Sequence, residues 1–224
     1  MMDIQIFQGL KGAKQAKGIT VIIDVFRAST TILSILHQGA KYITPVESIQ
    51  KALFFKKQNP SCLLVGERNG KKLPEFDYGN SPATMISLDL YKKSIVLSTS
   101  SGTKGICNTD HSSETLIAGF ANISKLISYI RNKNTDYLSL IPMGLNATTP
   151  AIEDDLCAQL IKKRLQDQSV NYQDYITPIM KSAGIKRLLN LGQQKDISYC
   201  LTQDILPIIA IYDKNKGRII TISN

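Results

Sequence analysis

The chain has 224 residues, 43% of them apolar and 20% charged, with a formal net charge of +9. That is an ordinary globular mixture, long enough for one large or two small folded units with a sizeable core, which excludes a disordered chain. No apolar run approaches the roughly 18 residues that a membrane-spanning helix needs, and a start with Asp3 and no long apolar stretch does not read as a secretory signal.

The four cysteines, Cys62, Cys107, Cys157 and Cys200, are far apart and form no CxxC pair. They read as reduced, buried thiols of a cytoplasmic protein. Two histidines, His37 and His111, are too few for a nitrogen- or sulfur-rich transition-metal site. The basic residues are scattered rather than gathered in a tract, and there is no tryptophan. Neither nucleic acid nor a membrane is therefore the expected partner; the charge suits steering of a small polyanion. Association of two copies of the chain is left open.

Strand and helix signals alternate along the chain. Residues 4–7 read as a short strand. Residues 19–23 are a β-branched apolar run that follows Gly18 and stops at Asp24, the pattern of a buried strand. Arg27 comes three residues later. Ala28-Ser29-Thr30-Thr31 and an apolar stripe at Ile32, Leu33, Ile35 and Leu36 then predict a helix capped by Ser29 or Thr30 and ending near Gly39. Next come a strand over 41–46, a helix over 47–58 and a strand over 61–65. Residues 67–81 are a long loop, and Ser81-Pro82 opens a further helix. A strand over 94–98 turns through 100–103 into a short helix reaching Cys107. Strands over 115–118 and 137–141 flank an amphipathic helix over 123–131. A polar loop, 144–150, leads into a helix over 151–165. Helices are expected over 174–183 and 182–192, then a hairpin of 208–212 with 218–222 across Lys-Asn-Lys-Gly. The alternation predicts a three-layered α/β fold with a mainly parallel mixed sheet and an antiparallel C-terminal hairpin at its edge. The chain reads as one domain over 1–224, with two subdomains split near residue 120 as the alternative.

Four stretches carry chemistry. In an open α/β sheet, ligands bind at the carboxyl ends of the strands, which points to the junction at Asp24. There a carboxylate can hold a metal, Arg27 can fork onto an anion, and Ser29 and Thr30 stand at a helix N-terminus. The bland alternative is an ordinary capped turn with a surface ion pair. The second stretch, GERNGKKLPEFDYGNSP over 66–82, presents Glu67, Arg68, Asp77, Asn80 and Ser81. Acids interleaved with glycines suit an oxygen-ligand metal such as Mg2+; otherwise this is a surface loop, although loops of such length are usually functional. The third, STSSGT over 98–103, offers an anion cradle at Ser101, Gly102 and Thr103, without the GxxxxGK[ST] pattern of a P-loop. The fourth is Glu153-Asp154-Asp155, whose acids serve either a metal or only the helix dipole.

Taken together, DVFRASTT at 24–31, GER…FDYGNSP at 66–82, SGT at 101–103 and AIEDDLCA at 151–158 resemble the 2-phosphosulfolactate phosphatase family in order and spacing over most of the chain. The resemblance implies a Mg2+-dependent phosphatase, a phosphoric monoester hydrolase that converts 2-phosphosulfolactate to sulfolactate and phosphate on the way to coenzyme M. It implies an α/β fold particular to that family, with the site in a cleft. Carried over by motif, the matching polar positions are Asp24, Arg27, Glu67, Asp77, Asn80, Ser81, Gly102, Thr103, Glu153 and Asp154. Of these, Asp24, Arg27, Glu67 and Asp77 are expected to be catalytic, and Asp24, Glu67, Asp77, Glu153 and Asp154 to face Mg2+. Ser101, Glu75 and Gln159 depart from the family's usual Asn, Gly and Gly, and the first bears on substrate identity rather than reaction class. Arg27, Arg68, Lys71, Lys72 and Lys104 would supply counter-charge. Asp24 could attack phosphorus itself, but the second acid of the haloacid-dehalogenase pattern is Phe26 here, so a Mg2+-activated water is favoured. The alternative from another class is a non-catalytic regulator that binds a small anion or nucleotide.

Overall fold

The computed structural model describes residues 2–133 and 135–222. The strands are β1 (Asp3–Ile6), β2 (Gly18–Ile23), β3 (Tyr42–Pro45), β4 (Leu63–Arg68), β5 (Lys71–Lys72), β6 (Ser94–Ser98), β7 (Ser112–Ala118), β8 (Tyr137–Pro142), β9 (Ile209–Asp213) and β10 (Arg218–Ile222). They form one open sheet in the order β1-β8-β2-β7-β9-β10-β3-β6-β4-β5. β2 lies between β8 and β7, parallel to both. That position explains its continuous apolar sequence, because a central parallel strand is covered on both faces. Ile19, Val21 and Ile23 belong to one apolar core and Ile22 to the other.

Helices fill both faces. One core contains residues of α6 (Ile123–Arg131), α7 (Ile152–Leu165), α8 (Gln173–Ile179), α9 (Ala183–Asn190) and α10 (Gln194–Leu201). The other contains residues of α1 (Gly9–Gln15), α2 (Ala28–His37), α4 (Pro82–Met85) and α5 (Gly102–Ile106). A smaller cluster joins α3 (Ile49–Gln58) to β4 and β6 through Ala52, Leu64 and Val96. The α/β class, the three layers and the mostly parallel sheet are as the sequence predicts.

The C-terminal hairpin differs in place. It is not an edge: β9 pairs antiparallel with β7, and β10 pairs antiparallel with β3. It therefore joins a parallel half, β1-β8-β2-β7, to a second, β3-β6-β4. Three antiparallel pairings in succession reverse the strand direction between the halves. Six strand steps separate β2 from β4. At about 20–25° of twist per step they rotate the second half by roughly 120–150°. Reversal plus twist turns the carboxyl ends of both halves towards one cleft. β7 and β8, on either side of residue 120, both pair with β2.

Two helices escape the sequence reading, α1 and α10. The helix after β2 begins at Ala28, with Arg27 rather than Ser29 or Thr30 at the cap position and no side-chain cap bond. Ser29 Oγ instead accepts the Asp24 N–H at 2.9 Å, and Ser29 N–H donates to the Asp24 carbonyl at 2.9 Å. This reciprocal pair folds the loop 24–29 back on itself and fixes the direction of Asp24.

Candidate active site

A cavity of about 410 Å³ opens where the carboxyl ends of β2, β4, β6 and β8 meet the starts of α7 and α9. Its polar lining includes Asp24, Arg27, Glu67, Asn80, Ser101, Glu153 and Asp154, and it also includes Arg187. The first seven are sequence-predicted site residues drawn from segments far apart in the chain.

Asp24 leaves β2 and is 7% exposed. Its Oδ1 accepts the Ala28 N–H at 3.2 Å, and Gly102 N–H is a second backbone donor. Burial pushes its carboxyl from 3.8 up to about 6; the backbone donors pull it down and the Glu67 charge pushes it further up. A glycine is needed at 102, since a Cβ there would lie 2.7 Å from Ala28 Cβ and 3.0 Å from Asp24 Oδ2.

Glu67 ends β4 and is held by the loop it faces. Its Oε1 accepts Ser100 N–H at 2.8 Å and its Oε2 accepts Gly70 N–H at 2.6 Å. Asp154, in the first turn of α7, accepts Val25 N–H at 2.7 Å and Gly144 N–H at 2.8 Å. It thus ties the ends of β2 and β8 together and does more than face a helix dipole. Burial and the nearby Asp24 charge raise its pKa. Glu153 beside it is raised by burial, with Arg187 opposing. Asp155 is different: it accepts Gln8 Nε2–H at 2.7 Å and does not line the cavity.

Arg27 is 3% exposed and anchored away from solvent. Its Nη1 donates to Asp196 Oδ2 at 2.7 Å and its Nη2 to the Gly70 carbonyl at 2.9 Å. Asp196, on α10 and 1% exposed, also accepts the Ser81 hydroxyl at 2.6 Å and Ala83 N–H at 3.2 Å. One buried carboxylate thus fastens Arg27 and the turn that carries Asn80. The Asn80 amide oxygen is buried in the lining without a partner among the described residues. The Phe26–Arg27 peptide is cis.

Several expected site residues lie elsewhere. Asp77 does not reach the cavity; its Oδ2 accepts Leu64 N–H at 2.7 Å and pairs with Lys56 at 3.6 Å, because its loop folds back along β4. Ser29 is spent on the Asp24 backbone, and Thr30 lies inside α2 at 0% exposure. Arg68 turns to Ser98, donating to its hydroxyl at 2.8 Å and its carbonyl at 3.1 Å. Ser81 caps α4 and binds Asp196. Gly102 serves by close approach, and Thr103 closes the β6–α5 turn by accepting Thr99 N–H at 3.0 Å. Ser101 lines the cavity, but its hydroxyl donates to the Gly144 carbonyl at 2.7 Å and accepts Ala147 N–H at 3.0 Å. Lys71, Lys72 and Lys104 are not in the lining; Lys72 donates to the Phe76 carbonyl at 2.7 Å.

Arg187 and Asp196 went unread in the sequence. Both lie on short C-terminal helices where a Lys-Arg or a Lys-Asp pair carries no motif. Among the described residues, no three His, Cys, Asp or Glu side chains are gathered to grip one metal ion.

An open α/β sheet with acids and arginines gathered in a cavity at its strand ends has the usual place and make-up of a small-ligand site in this class of fold. The family model for 2-phosphosulpholactate phosphatase matches residues 5–215, and the chain belongs to that family. It is 35% identical over 213 residues to a protein of Thermoplasma acidophilum named probable 2-phosphosulfolactate phosphatase, covering 93% of this chain and 92% of that one. Proteins of the same name from Thermotoga petrophila and Carboxydothermus hydrogenoformans are each 34% identical, over 84% and 89% of this chain and 86% and 88% of theirs. No helix among the described residues is long and apolar enough to cross a membrane.

Proposed function

We propose that this chain is a Mg2+-dependent phosphatase that hydrolyses 2-phosphosulfolactate, or a closely related small phospho-acid, to the hydroxy acid and inorganic phosphate. The observation that carries the reading is the buried Asp24 carboxyl, poised near pH 6 in a cavity with Glu67 and two arginines. A cavity of about 410 Å³ is at the small end of ligand pockets, as a three-carbon polyanion requires.

The residues present fit Mg2+. It takes few carboxylates and keeps several waters, so it needs no three-acid cage. Asp24 and Glu67 share the cavity closely enough for one charge to raise the other's pKa, and the Asn80 amide oxygen there lacks a partner among the described residues. Asp24 and Glu67 would hold the ion, with Asn80 beside them. When bound, Mg2+ supplies positive charge to the phosphoryl oxygens.

The chain's own residues do the rest. Arg27, immobilised by Asp196, presents its remaining N–H groups to an anionic group of the substrate. Water attacks phosphorus, the ester P–O bond breaks, and the departing oxygen needs a proton. Glu153 lines the cavity with its pKa raised by burial, which suits it to hold that proton and deliver it. The cytoplasm is the expected setting, and coenzyme M synthesis the pathway the substrate would serve.

A phosphate-release assay over small phospho-acids, with and without Mg2+, tests the reading. Release that depends on Mg2+ supports it. Saturable binding of the same compounds without release would favour a non-catalytic binding protein.

A further inference from the structure

The cavity holds two guanidinium groups in different electrostatic states. Arg27 is neutralised by Asp196 at 2.7 Å, both side chains nearly fully buried. Arg187 reaches the same cavity from α9. Among the described residues it has no carboxylate within ion-pair distance, and its hydrogen bond is to the Phe26 carbonyl at 3.2 Å. Its field still reaches the site, since it opposes the rise of the Asp24 and Glu153 pKa values. Of the two arginines that line the cavity, Arg187 is the one without a carboxylate partner among the described residues.

The wall that carries it is shaped for a ligand as well. Ser182 caps α9 by accepting Ile185 N–H at 3.2 Å. The next turn contributes Ala183, Gly184, Arg187 and Leu188 to the lining. A Cβ at 184 would lie 2.4 Å from Glu153 Oε1 and 2.9 Å from Phe26. The missing side chain lets α9 close over Glu153 and brings Arg187 down onto the cavity. Asp24 and Glu67 occupy the sheet side, where the phosphoryl group is bound in the function proposed above. α9 adds its guanidinium to the same cavity from a separate element.

We propose that Arg187 is a specificity-determining residue that takes the substrate's non-transferring acid group, a carboxylate or a sulfonate. The inference rests on the phosphatase reading. A planar fork of donors matches either oxyanion in a two-point contact that an ammonium group cannot copy. The alternative role is structural, with Arg187 serving only as counter-charge to Glu153 and Asp24.

Kinetics on three ester types separate these roles: an alkyl phosphate with no acid group, a phospho-carboxylate and a phospho-sulfonate. Wild type, Arg187→Ala and Arg187→Lys are compared, with melting curves to confirm folding. Arg187→Ala is expected to reduce the preference for acid-bearing esters over the alkyl phosphate, as a ratio of kcat/KM, by about 10- to 100-fold, mainly through KM. Arg187→Lys recovers part of it. The acid-bearing ester that loses more identifies the group that is held. An equal loss on all three esters, or none, overturns the inference while leaving the phosphatase reading intact. If wild type hydrolyses none of them, the phosphatase reading fails, and calorimetry with sulfolactate alone decides on Arg187. Tighter binding to wild type than to Arg187→Ala supports the inference, and equal or no binding overturns it.

Discussion

Asp24 is almost fully buried beside Glu67 and Asp154, and burial lifts its pKa from 3.8 to about 6. For the ligand-free protein the sign follows from linkage. The folded state holds the proton more tightly than the unfolded state, so stability is highest at low pH and falls as pH rises from 3.8 through about 6. The penalty above that window is on the order of 3 kcal/mol at about 1.4 kcal/mol per pH unit. Asp24→Asn should therefore stabilise the ligand-free protein by about 1–3 kcal/mol at pH 7.5 while lowering kcat at least about a hundredfold. Denaturant melts and kinetics check both halves, and an Asp24→Asn protein with near wild-type turnover removes Asp24 from the chemistry. The catalytic form is the ionised one and Mg2+ competes with the proton for it, so kcat/KM should fall on the acid side with an apparent pKa that moves down as Mg2+ is raised. Glu153→Gln should cost about 10²-fold or more on an alkyl ester and far less on an activated aryl ester, whose leaving group needs no proton. Asp196 acts through Arg27. Asp196→Ala leaves a buried guanidinium unpaired, which should cost about 3–5 kcal/mol of stability and also depress kcat/KM. Unchanged melting would show that the ion pair is dispensable.

The elements that place these residues were unevenly legible. β2 could be read because a strand covered on both faces must be apolar throughout, and α6 because Ile123, Leu126, Ile127 and Ile130 repeat at helical spacing and are all buried. The motifs around Asp24, Glu67 and Glu153 point to strand ends and loops that meet at one cavity. α10 gave no such signal: its eight residues, QKDISYCL, are too few to establish a period, and its buried acid resembles a surface charge. Asp77 lies outside the cavity, and a carboxylate that accepts a backbone N–H looks the same in sequence as one that faces a ligand. The hairpin of β9 and β10 was recognised, but its central position was not, since pairing with β7 and β3 depends on the tertiary fold. That position makes a prediction. Ile219 is fully buried and pairs with Ile43 across the join of the two halves. Ile219→Ala should cost about 2–5 kcal/mol, and the loss should appear in every probe of unfolding together. A separate early transition confined to one half would contradict a hairpin that unites the sheet.

Across the whole molecule, both parallel halves send their carboxyl ends to one cleft, and the C-terminal helices α9 and α10 close it with Arg187 and Asp196. The site therefore depends on residues from Asp24 to Asp196, most of the chain. The net charge of +9 surrounds a cavity for a polyanion, which favours its capture at low ionic strength. The most direct test of the account is phosphate release from 2-phosphosulfolactate by the purified protein at pH 7.5, measured with Mg2+, after treatment with EDTA, and after Mg2+ is restored. Release with Mg2+, loss in EDTA and recovery on restoring the ion are expected. A folded protein that releases no phosphate with Mg2+ present, or that works fully in chelator, would contradict it.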